Sequence, residues 1–140
     1  MEKNLKVNII TPGSPAIIVE IKSLHTRSQD GEVEFRSKHV PIILSTVPTI
    51  TKFVKLDGSD EMYFTSSGII IIKDNIINFC CDSAEKPQDI DVSRAMRAKE
   101  RAEIRLKEGK GKNKDIDEKR VKLALARSMA RISASNMSKL

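Results

Sequence analysis

The sequence predicts an α+β fold: an N-terminal antiparallel β-sandwich followed by a C-terminal antiparallel two-helix hairpin. Up to Asp82, about eight short apolar or alternating segments are separated by turns rich in Gly, Pro and Asp, which is typical of a sandwich or barrel. No aromatic residue follows Phe79, and alanine, arginine, lysine and glutamate, all good helix formers, become dominant. We therefore predict a sandwich domain over residues 1–84 and a helical hairpin over residues 85–140.

The first predicted strand, residues 3–10, indicates how the β domain builds its core. Leu5, Val7 and Ile9 alternate with polar residues, so they share one face that can be buried. Between the last two strands, Asp74-Asn75 suits a tight hairpin turn. The other strands are predicted at residues 16–23, 32–35, 40–44, 49–56, 61–66, 69–72 and 76–81.

The two helices are predicted at about residues 90–108 and 116–136. Asp89 is the expected N-cap of the first helix, with Asp91 in its first turn, and Asp115 and Glu118 form a capping box for the second. Because the facing residues are mostly small, the seam is thin, and we expect the hairpin to dock weakly and to move. Those residues are Val92, Ala95, Ala98 or Lys99, Ala102 and Leu106, facing Val121, Leu125, Ser128, Met129 and Ile132.

The charge of the chain is concentrated in its C-terminal part. Residues 89–140 hold 15 Lys and Arg against 8 Asp and Glu, whereas residues 1–88 hold 10 against 11. Such asymmetry predicts an anionic partner for the tail: nucleic acid, nucleotide phosphates, an acidic protein surface or a membrane headgroup layer. No apolar run approaches the roughly 20 residues of a membrane-spanning helix.

Residues that would carry catalysis are not evident in the sequence. His25 and His39 have no metal-ligand spacing with each other or with the cysteines, and no phosphate loop or nucleophile elbow is present. Cys80 and Cys81 are adjacent in a strand, so they should point to opposite faces and stay reduced. We expect no catalytic residue and no metal site.

Arginines are the concentrated chemical feature of the tail. Arg94, Arg97, Arg101 and Arg105 are spaced three, four and four residues apart, so they share one helix face, and Arg127 and Arg131 recur four apart. If the two faces converge, their guanidinium groups can surround a polyphosphate, which arginine binds bidentately. The alternative is a solvated face with the intrahelical pairs Arg97–Glu100 and Lys99–Glu103.

Nucleic-acid binding by a basic helical arm is a competing function for the tail. The lack of aromatic residues there disfavours single-strand recognition, since bases have nothing to stack on, but a non-specific phosphate contact stays open. A membrane-surface helix would need bulkier apolar residues than alanine.

Three segments, in their order and spacing, resemble a known family. They are residues 31–41 (GEVEFRSKHVP), residues 64–69 with the turn and strand to Glu85, and residues 90–95 (IDVSRA). Over nearly its whole length, the chain is similar to the epsilon subunit of the bacterial F-type ATP synthase. The resemblance implies the sandwich-and-hairpin fold given above.

The resemblance also implies a function. The epsilon subunit is a non-catalytic part of the rotor stalk, which couples proton or sodium flow to the catalytic head. Its implied partners are the gamma subunit, the c-ring and the alpha and beta subunits, at the cytoplasmic face of the cell membrane, without nucleic acid. An extended hairpin blocks ATP hydrolysis, and in some members ATP binds the folded hairpin. No cofactor is required, and ATP is a candidate regulatory ligand.

Site residues follow from the resemblance position by position. Those implied to contact the c-ring are Gly31, Glu32 and His39. Those implied to bind nucleotide are the motif residues Ile90, Asp91, Arg94 and Ala95, together with Arg101, Arg127 and Arg131, which match by position only.

Overall fold

The structure, a computed structural model, describes residues 4–109 and 118–137. It consists of a β-sandwich followed by two helices, as predicted. The strands are β1 Leu5–Ile10, β2 Ile17–Ser28, β3 Gly31–Arg36, β4 Ile42–Thr46, β5 Thr49–Lys55, β6 Asp60–Thr65, β7 Gly68–Lys73, β8 Ile76–Cys81 and β9 Ala84–Glu85. A 3₁₀ turn, Pro87–Asp89, leads to α1 (Val92–Gly109), and α2 is Glu118–Met137. The predicted capping residue Asp115 and the Gly/Lys turn after Gly109 lie outside the described residues.

Strand β2 organises the sheet, because it pairs with β1, β3, β4 and β5 along its length. The prediction that this strand ends at Ser23 is wrong: its C-terminal half continues to Ser28 because β3, β4 and β5 supply hydrogen-bonding partners there. Most pairs are antiparallel, but β1 and β8 are parallel. Apolar alternation encodes which face of a strand is buried and not the direction of its neighbour, so the parallel pair was not predictable from it.

The core lies between the two layers of the sandwich. Leu5, Val7 and Ile9 of β1 are at most 1% exposed, so the predicted buried face of the first strand is confirmed. Phe53 of β5 and Phe79 of β8 are completely buried in the same cluster. These large side chains supply apolar burial that stabilises the domain without the helices.

Two local features fix the β7–β8 hairpin. Asp74 and Asn75 both have positive φ, 52° and 62°, and link Lys73 directly to Ile76, so the predicted two-residue turn is confirmed. At the start of β7, Gly68 approaches β8 so closely that an added Cβ would lie 2.2 Å from the Cys80 carbonyl oxygen. Only glycine fits this position without a shift of the backbone.

Strand β9 was not predicted from the sequence. Its two residues pair with Thr65 and Phe64 of β6, and the predicted domain boundary between residues 84 and 85 falls inside it. A two-residue strand has too few side chains to show a period, which explains why the pattern missed it.

The helical pair docks on the sandwich mainly through α2. This helix packs on β5, β6 and the 3₁₀ turn, while α1 packs on α2. Ala134 of α2 is completely buried against Phe64 and Ile90, and Ala95, Ala102 and Val121 form the buried part of the α1–α2 seam. The prediction of Met129 on the inner face is wrong, because it is 49% exposed, whereas Ser128, which was predicted on the same face, is buried. Within the described ranges, neither helix is long and apolar enough to cross a membrane.

Candidate functional site

A cavity of about 1040 Å³ lies between the helical pair and the sandwich. Its floor is polar and comes from the ends of β6 and β8, with Ser66, Asp82 and Ser83. Its walls are positively charged, because both helices turn arginines toward it. These are Arg101 and Arg105 from α1, and Arg120, Arg127 and Arg131 from α2.

Arg131 connects α2 to the sandwich at one side of the cavity. Its Nε donates to Oε2 of Glu85 at 3.1 Å, and its Nη2 donates to Oε1 of Glu85 at 3.2 Å and to Oγ of Ser83 at 3.3 Å. The guanidinium carbon also lies 4.6 Å from the ring centroid of Phe64. Both charged side chains are about two-thirds buried, so the two-pronged ion pair is partly shielded from water.

The acceptors for Arg131 are held in place by backbone pairing below the cavity. Ser83 N donates to Oγ of Ser66 at 2.8 Å, and Ser66 N donates to the Ser83 carbonyl at 3.0 Å. This pairing continues into β9, where Glu85 pairs with Phe64. The short strand that the sequence pattern missed therefore positions the partner of Arg131.

The start of α1 is capped by Asp91. Its Oδ1 accepts a hydrogen bond from the backbone N of Arg94 at 3.0 Å, and its carbonyl accepts the first helical bond from Ala95. The prediction of Asp89 as N-cap is wrong, since this residue ends the 3₁₀ turn two positions earlier. Asp91 therefore has a structural role as the N-cap of α1.

The seven residues implied to bind nucleotide do not all meet at the cavity. Arg101, Arg127 and Arg131 line it, whereas the four motif residues do not. Ile90 is buried beside Phe64, Ala95 is buried in the helical seam, and Asp91 and Arg94 are exposed at the start of α1.

Sequence reasoning left two cavity arginines out of the candidate site. Arg105 belongs to the predicted stripe on α1, while Arg120 was not singled out. Arg120 precedes Arg127 by seven residues, which is two helical turns, so helical periodicity could have found it. Of the predicted intrahelical pairs, Lys99–Glu103 forms at 3.7 Å, and Arg97–Glu100 is absent from the described part of the chain.

The residues implied to contact the c-ring are separated by β3. Gly31, with φ of 127°, begins this strand, and the side chain of Glu32 is 83% exposed and lies 3.4 Å from Arg27. His39 follows the other end, where its Nδ1 donates to the Val40 carbonyl at 2.7 Å and its ring contacts Phe35 edge-on at 5.1 Å. The His39 ring contacts Phe35, which lies four positions after Gly31 along β3, so roughly 13 Å of strand separates this contact from Gly31.

A second surface, which we call the isoleucine face, lies on the outer side of β1, β8, β7, β4 and the start of β2. Strand register aligns its members: Ile43 pairs with Ile71, Ile69 and Ile10 both pair with Cys80, and Ile18 pairs with Asn8. Paired residues point to the same side of a sheet. The exposed fractions of these five isoleucines run from 42% to 72%. Exposed apolar faces occur at protein and membrane contacts and at ligand-binding grooves.

No group of three or more His, Cys, Asp or Glu side chains that could hold a metal ion occurs within residues 4–109 and 118–137.

Two family models match the chain in succession. The beta-sandwich domain of the ATP synthase delta/epsilon chain matches residues 4–87, and the long alpha-helix domain of the same chain matches residues 88–136. Together they span almost all of the sequence. The boundary between them falls at the 3₁₀ turn that precedes α1.

Individual relatives agree with these models. A Clostridium botulinum (strain Okra / Type B1) protein named ATP synthase epsilon chain is 43% identical over 110 residues, which are 79% of this chain and 83% of the relative. A Clostridium acetobutylicum protein of the same name is 39% identical over 107 residues, covering 76% and 80% of the two chains.

Solved structures show the same fold. A chain of the Euglena gracilis mitochondrial ATP synthase, from a structure described as OSCP/F1/c-ring, superimposes with a TM-score of 0.77 at 16% identity, covering 94% of this chain and 81% of its own. Because the family models cover both structural units and the bacterial relatives share this extent of sequence, this chain belongs to the ATP synthase delta/epsilon chain family.

Proposed function

We propose that this chain is the epsilon subunit of a bacterial F-type ATP synthase, a non-catalytic rotor-stalk subunit that couples ion-driven rotation of the c-ring to the catalytic head. Its hairpin inhibits ATP hydrolysis when it leaves the sandwich and reaches the alpha and beta subunits. The chain acts at the cytoplasmic face of the cell membrane, held there through the complex. Family membership favours this function over a nucleic-acid-binding module.

The observation that carries the proposal is the limited contact between hairpin and sandwich. The apolar part of that contact is the small cluster of Phe64, Ile90 and Ala134, and the polar part is the Arg131–Glu85 pair. The main core of the sandwich is a separate cluster that includes no helical residue. The helices can therefore undock while the sandwich stays folded, which is what a mobile inhibitory element requires.

The isoleucine face is the proposed contact with the gamma subunit. It lies on the opposite layer from β5 and β6, where α2 docks, so a partner bound there leaves the hairpin free to move. Its central Asn8–Asn78 hydrogen bond, 2.9 Å long, satisfies part of the polar surface that a partner would cover. Replacing Ile71 with lysine should abolish co-purification with gamma, and Ile104→Lys, at an exposed position of α1, should not.

Two further contacts are proposed from the family resemblance. The c-ring meets the turn at Gly31 and Glu32 and the loop at His39, with Glu32 the most exposed of the three. ATP is a regulatory ligand of the docked hairpin, and Arg101, Arg127 and Arg131 are the implied contacts that line the cavity.

The test compares two variants that should change ATP hydrolysis in opposite directions. A chain that stops after Gln88 keeps β9 and loses the hairpin, so the assembled complex should hydrolyse ATP severalfold faster. The full-length Arg131→Ala variant weakens docking and frees the hairpin to extend, so its complex should hydrolyse ATP more slowly than wild type. Both are measured as steady-state ATPase rates of the reconstituted complex.

Equal rates for the truncated and wild-type complexes would contradict an inhibitory hairpin. If the truncated chain failed to assemble into the complex, the sandwich alone would not be sufficient for partner binding. The proposal that the sandwich binds partners while the hairpin inhibits would then be wrong.

A further inference from the structure

We infer that Asn8 and Asn78 determine which partner surface the isoleucine face accepts: one that is largely apolar and presents a hydrogen-bond acceptor opposite this amide pair. The inference rests on the proposed contact with the gamma subunit and names the chemistry that makes this contact specific. Neither asparagine belongs to the core cluster of the sandwich.

The two amides occupy the centre of the isoleucine face. In the strand register, Asn78 lies between Ile71 of β7 and Asn8 of β1, and Asn8 lies between Asn78 and Ile18 of β2. The next row along the same strands is also free of charge and contains Ile69, Cys80 and Ile10. The amide pair is therefore enclosed by uncharged, mostly apolar side chains on three sides.

The hydrogen-bonding capacity of the pair is only partly used. Asn8 Nδ2 donates to Asn78 Oδ1 at 2.9 Å. Among the described residues, Asn8 Oδ1 is buried without a hydrogen-bond partner, and Asn78 Nδ2 donates to no acceptor. An amide nitrogen carries two donor hydrogens. Asn78 thus offers a free donor at the centre of an apolar surface.

Folding alone does not favour asparagine at these two positions. Asparagine is depleted from strands, and a buried acceptor without a partner is destabilising. Ile71, the outward neighbour of Asn78 on β7, shows that the sheet accepts an apolar side chain in this row. A contact made on the outer side of the sheet explains the pair better than the packing of the sandwich does.

A polar pair within an apolar face restricts how a partner can dock. When a partner covers the face, the Asn78 donor loses its contact with water and needs an acceptor, because a buried donor without one is destabilising. A fully apolar partner, or the correct partner shifted along the strands, leaves the donor unpaired. A single asparagine in the apolar seam of a coiled coil fixes register and partner number in the same way.

The extent of the face suits a protein partner. From β4 to the start of β2 it spans roughly 19 Å across the strands, and its three rows span roughly 14 Å along them. The gamma subunit is the occupant we assign, because this layer is the one that α2 leaves uncovered. A second copy of this chain is the alternative, which the experiment tests.

The experiment measures binding of the full chain to the ATP synthase complex depleted of this subunit, by biolayer interferometry. The double variant Asn8→Leu with Asn78→Leu should bind about tenfold more weakly although its face is more apolar, because the partner's acceptor loses its donor. The isolated double variant should unfold at an unchanged or higher temperature. The control Ser45→Leu adds a leucine beside Ile69 at the rim of the same face and should change binding less than twofold.

Four results would overturn the inference. Binding by the double variant that equals or exceeds wild type would show that apolar contact alone is sufficient, and an equal loss in Ser45→Leu would show that any added leucine interferes. A melting temperature more than about 5 °C below wild type would show that the pair stabilises the sandwich. A wild-type dimer in size-exclusion chromatography that Ile71→Lys dissociates would make a second copy the occupant.

Failure of this inference can be told apart from failure of the proposed gamma contact. If Ile71→Lys abolishes binding to the depleted complex and the double variant does not weaken it, the contact stands and the role of the asparagines is wrong. If Ile71→Lys leaves binding intact, the contact itself is wrong.

Discussion

Arg131 of α2 and Glu85 of β9 form a two-pronged ion pair, with N–O distances of 3.1 and 3.2 Å, that joins the hairpin to the sandwich. The same guanidinium lies over the ring of Phe64, which is completely buried. One side chain therefore combines the polar and the apolar parts of the docking contact. The residues it joins are 46 positions apart in the sequence.

We predict that Arg131→Ala weakens hairpin docking by about 1–2 kcal/mol, because it removes charge-assisted hydrogen bonds and a cation–π contact at a partly exposed site. Hydrogen exchange of the α2 amides should become faster, while exchange in β1 and β8 should not change. Glu85→Gln should have a smaller effect, since Arg131 keeps its contact with Phe64. If Arg97→Ala, away from the sandwich, accelerated exchange in α2 to the same extent, the pair would not be what holds the hairpin.

The cap of α1 provides a second prediction with a neighbouring control. Asp91→Ala should destabilise the first turn of α1 by about 1 kcal/mol, because the Arg94 amide loses its acceptor. The amide exchange rate of Arg94 should rise about fivefold. Asp89→Ala should change it little, since Asp89 ends the preceding turn. Equal effects of the two substitutions on the exchange rate of the Arg94 amide would contradict the assignment of the cap to Asp91.

Gly68 should be intolerant of a side chain. A Cβ there would lie 2.2 Å from the Cys80 carbonyl oxygen and 2.9 Å from the Cys81 Cα, so β7 and β8 must separate. We expect Gly68→Ala to cost about 1–3 kcal/mol and to lower the melting temperature by roughly 10 °C. Ser67→Ala is the matched control and should lower it by no more than about 2 °C. Thermal unfolding of both variants is followed by circular dichroism. A similar loss in both would show that any substitution in this turn destabilises the fold, and would contradict a specific clash between residue 68 and the β8 backbone.

The two cysteines should differ in reactivity. Burial raises the pKa of the Cys81 thiol to about 11, from 9.0 for the free group, while Cys80 is exposed. At pH 9 the folded chain therefore holds about 50-fold less Cys81 thiolate than the unfolded chain, and alkylation slows by at least that factor. Iodoacetamide followed by peptide mass spectrometry should show rapid labelling of Cys80 alone. Labelling of both residues in denaturing urea is the control, and equal rates in the folded chain would contradict the buried position of Cys81.

Tyr63 should make stability fall at high pH. Burial, and then the hydrogen bond that its hydroxyl donates to Glu61 at 2.9 Å, raise the pKa of Tyr63 to about 12, against 10.0 for the free phenol. A raised pKa favours the folded state below pH 10, and that contribution is lost as the pH rises from 10 to 12. The urea midpoint should fall over this window and fall less in Tyr63→Phe. Parallel curves for the two proteins would show that another group is responsible.

Periodicity predicted the parts of the fold that repeat. The alternating run of β1, the two-residue turn at Asp74-Asn75 and the opposite faces of Cys80 and Cys81 all follow from local pattern, and the structure confirms each of them. Both helices were predicted within about two residues of their described ends, apart from the start of α2, which was predicted at a residue that is not described.

The candidate site was only partly predictable. Sequence spacing showed that the arginines of each helix share a face, and a family resemblance singled out seven residues for nucleotide binding. Neither the spacing nor the resemblance could show that Arg101, Arg127 and Arg131 line a cavity. They also could not show that Ile90 and Ala95 are buried elsewhere. Which face of a helix meets a neighbouring layer depends on packing, and packing is set by contacts between distant residues.

The sequence by itself determined the two structural units, the charge of the tail and the absence of aromatic residues from it. These properties depend on residue type and on period, which are local. Only the tertiary structure decided the parallel β1–β8 pair, the two-residue strand β9 and the pairing of Arg131 with Glu85. Each of these joins segments far apart in the chain, where no local period constrains the partner, and the partner is chosen by the free energy of the whole packed arrangement.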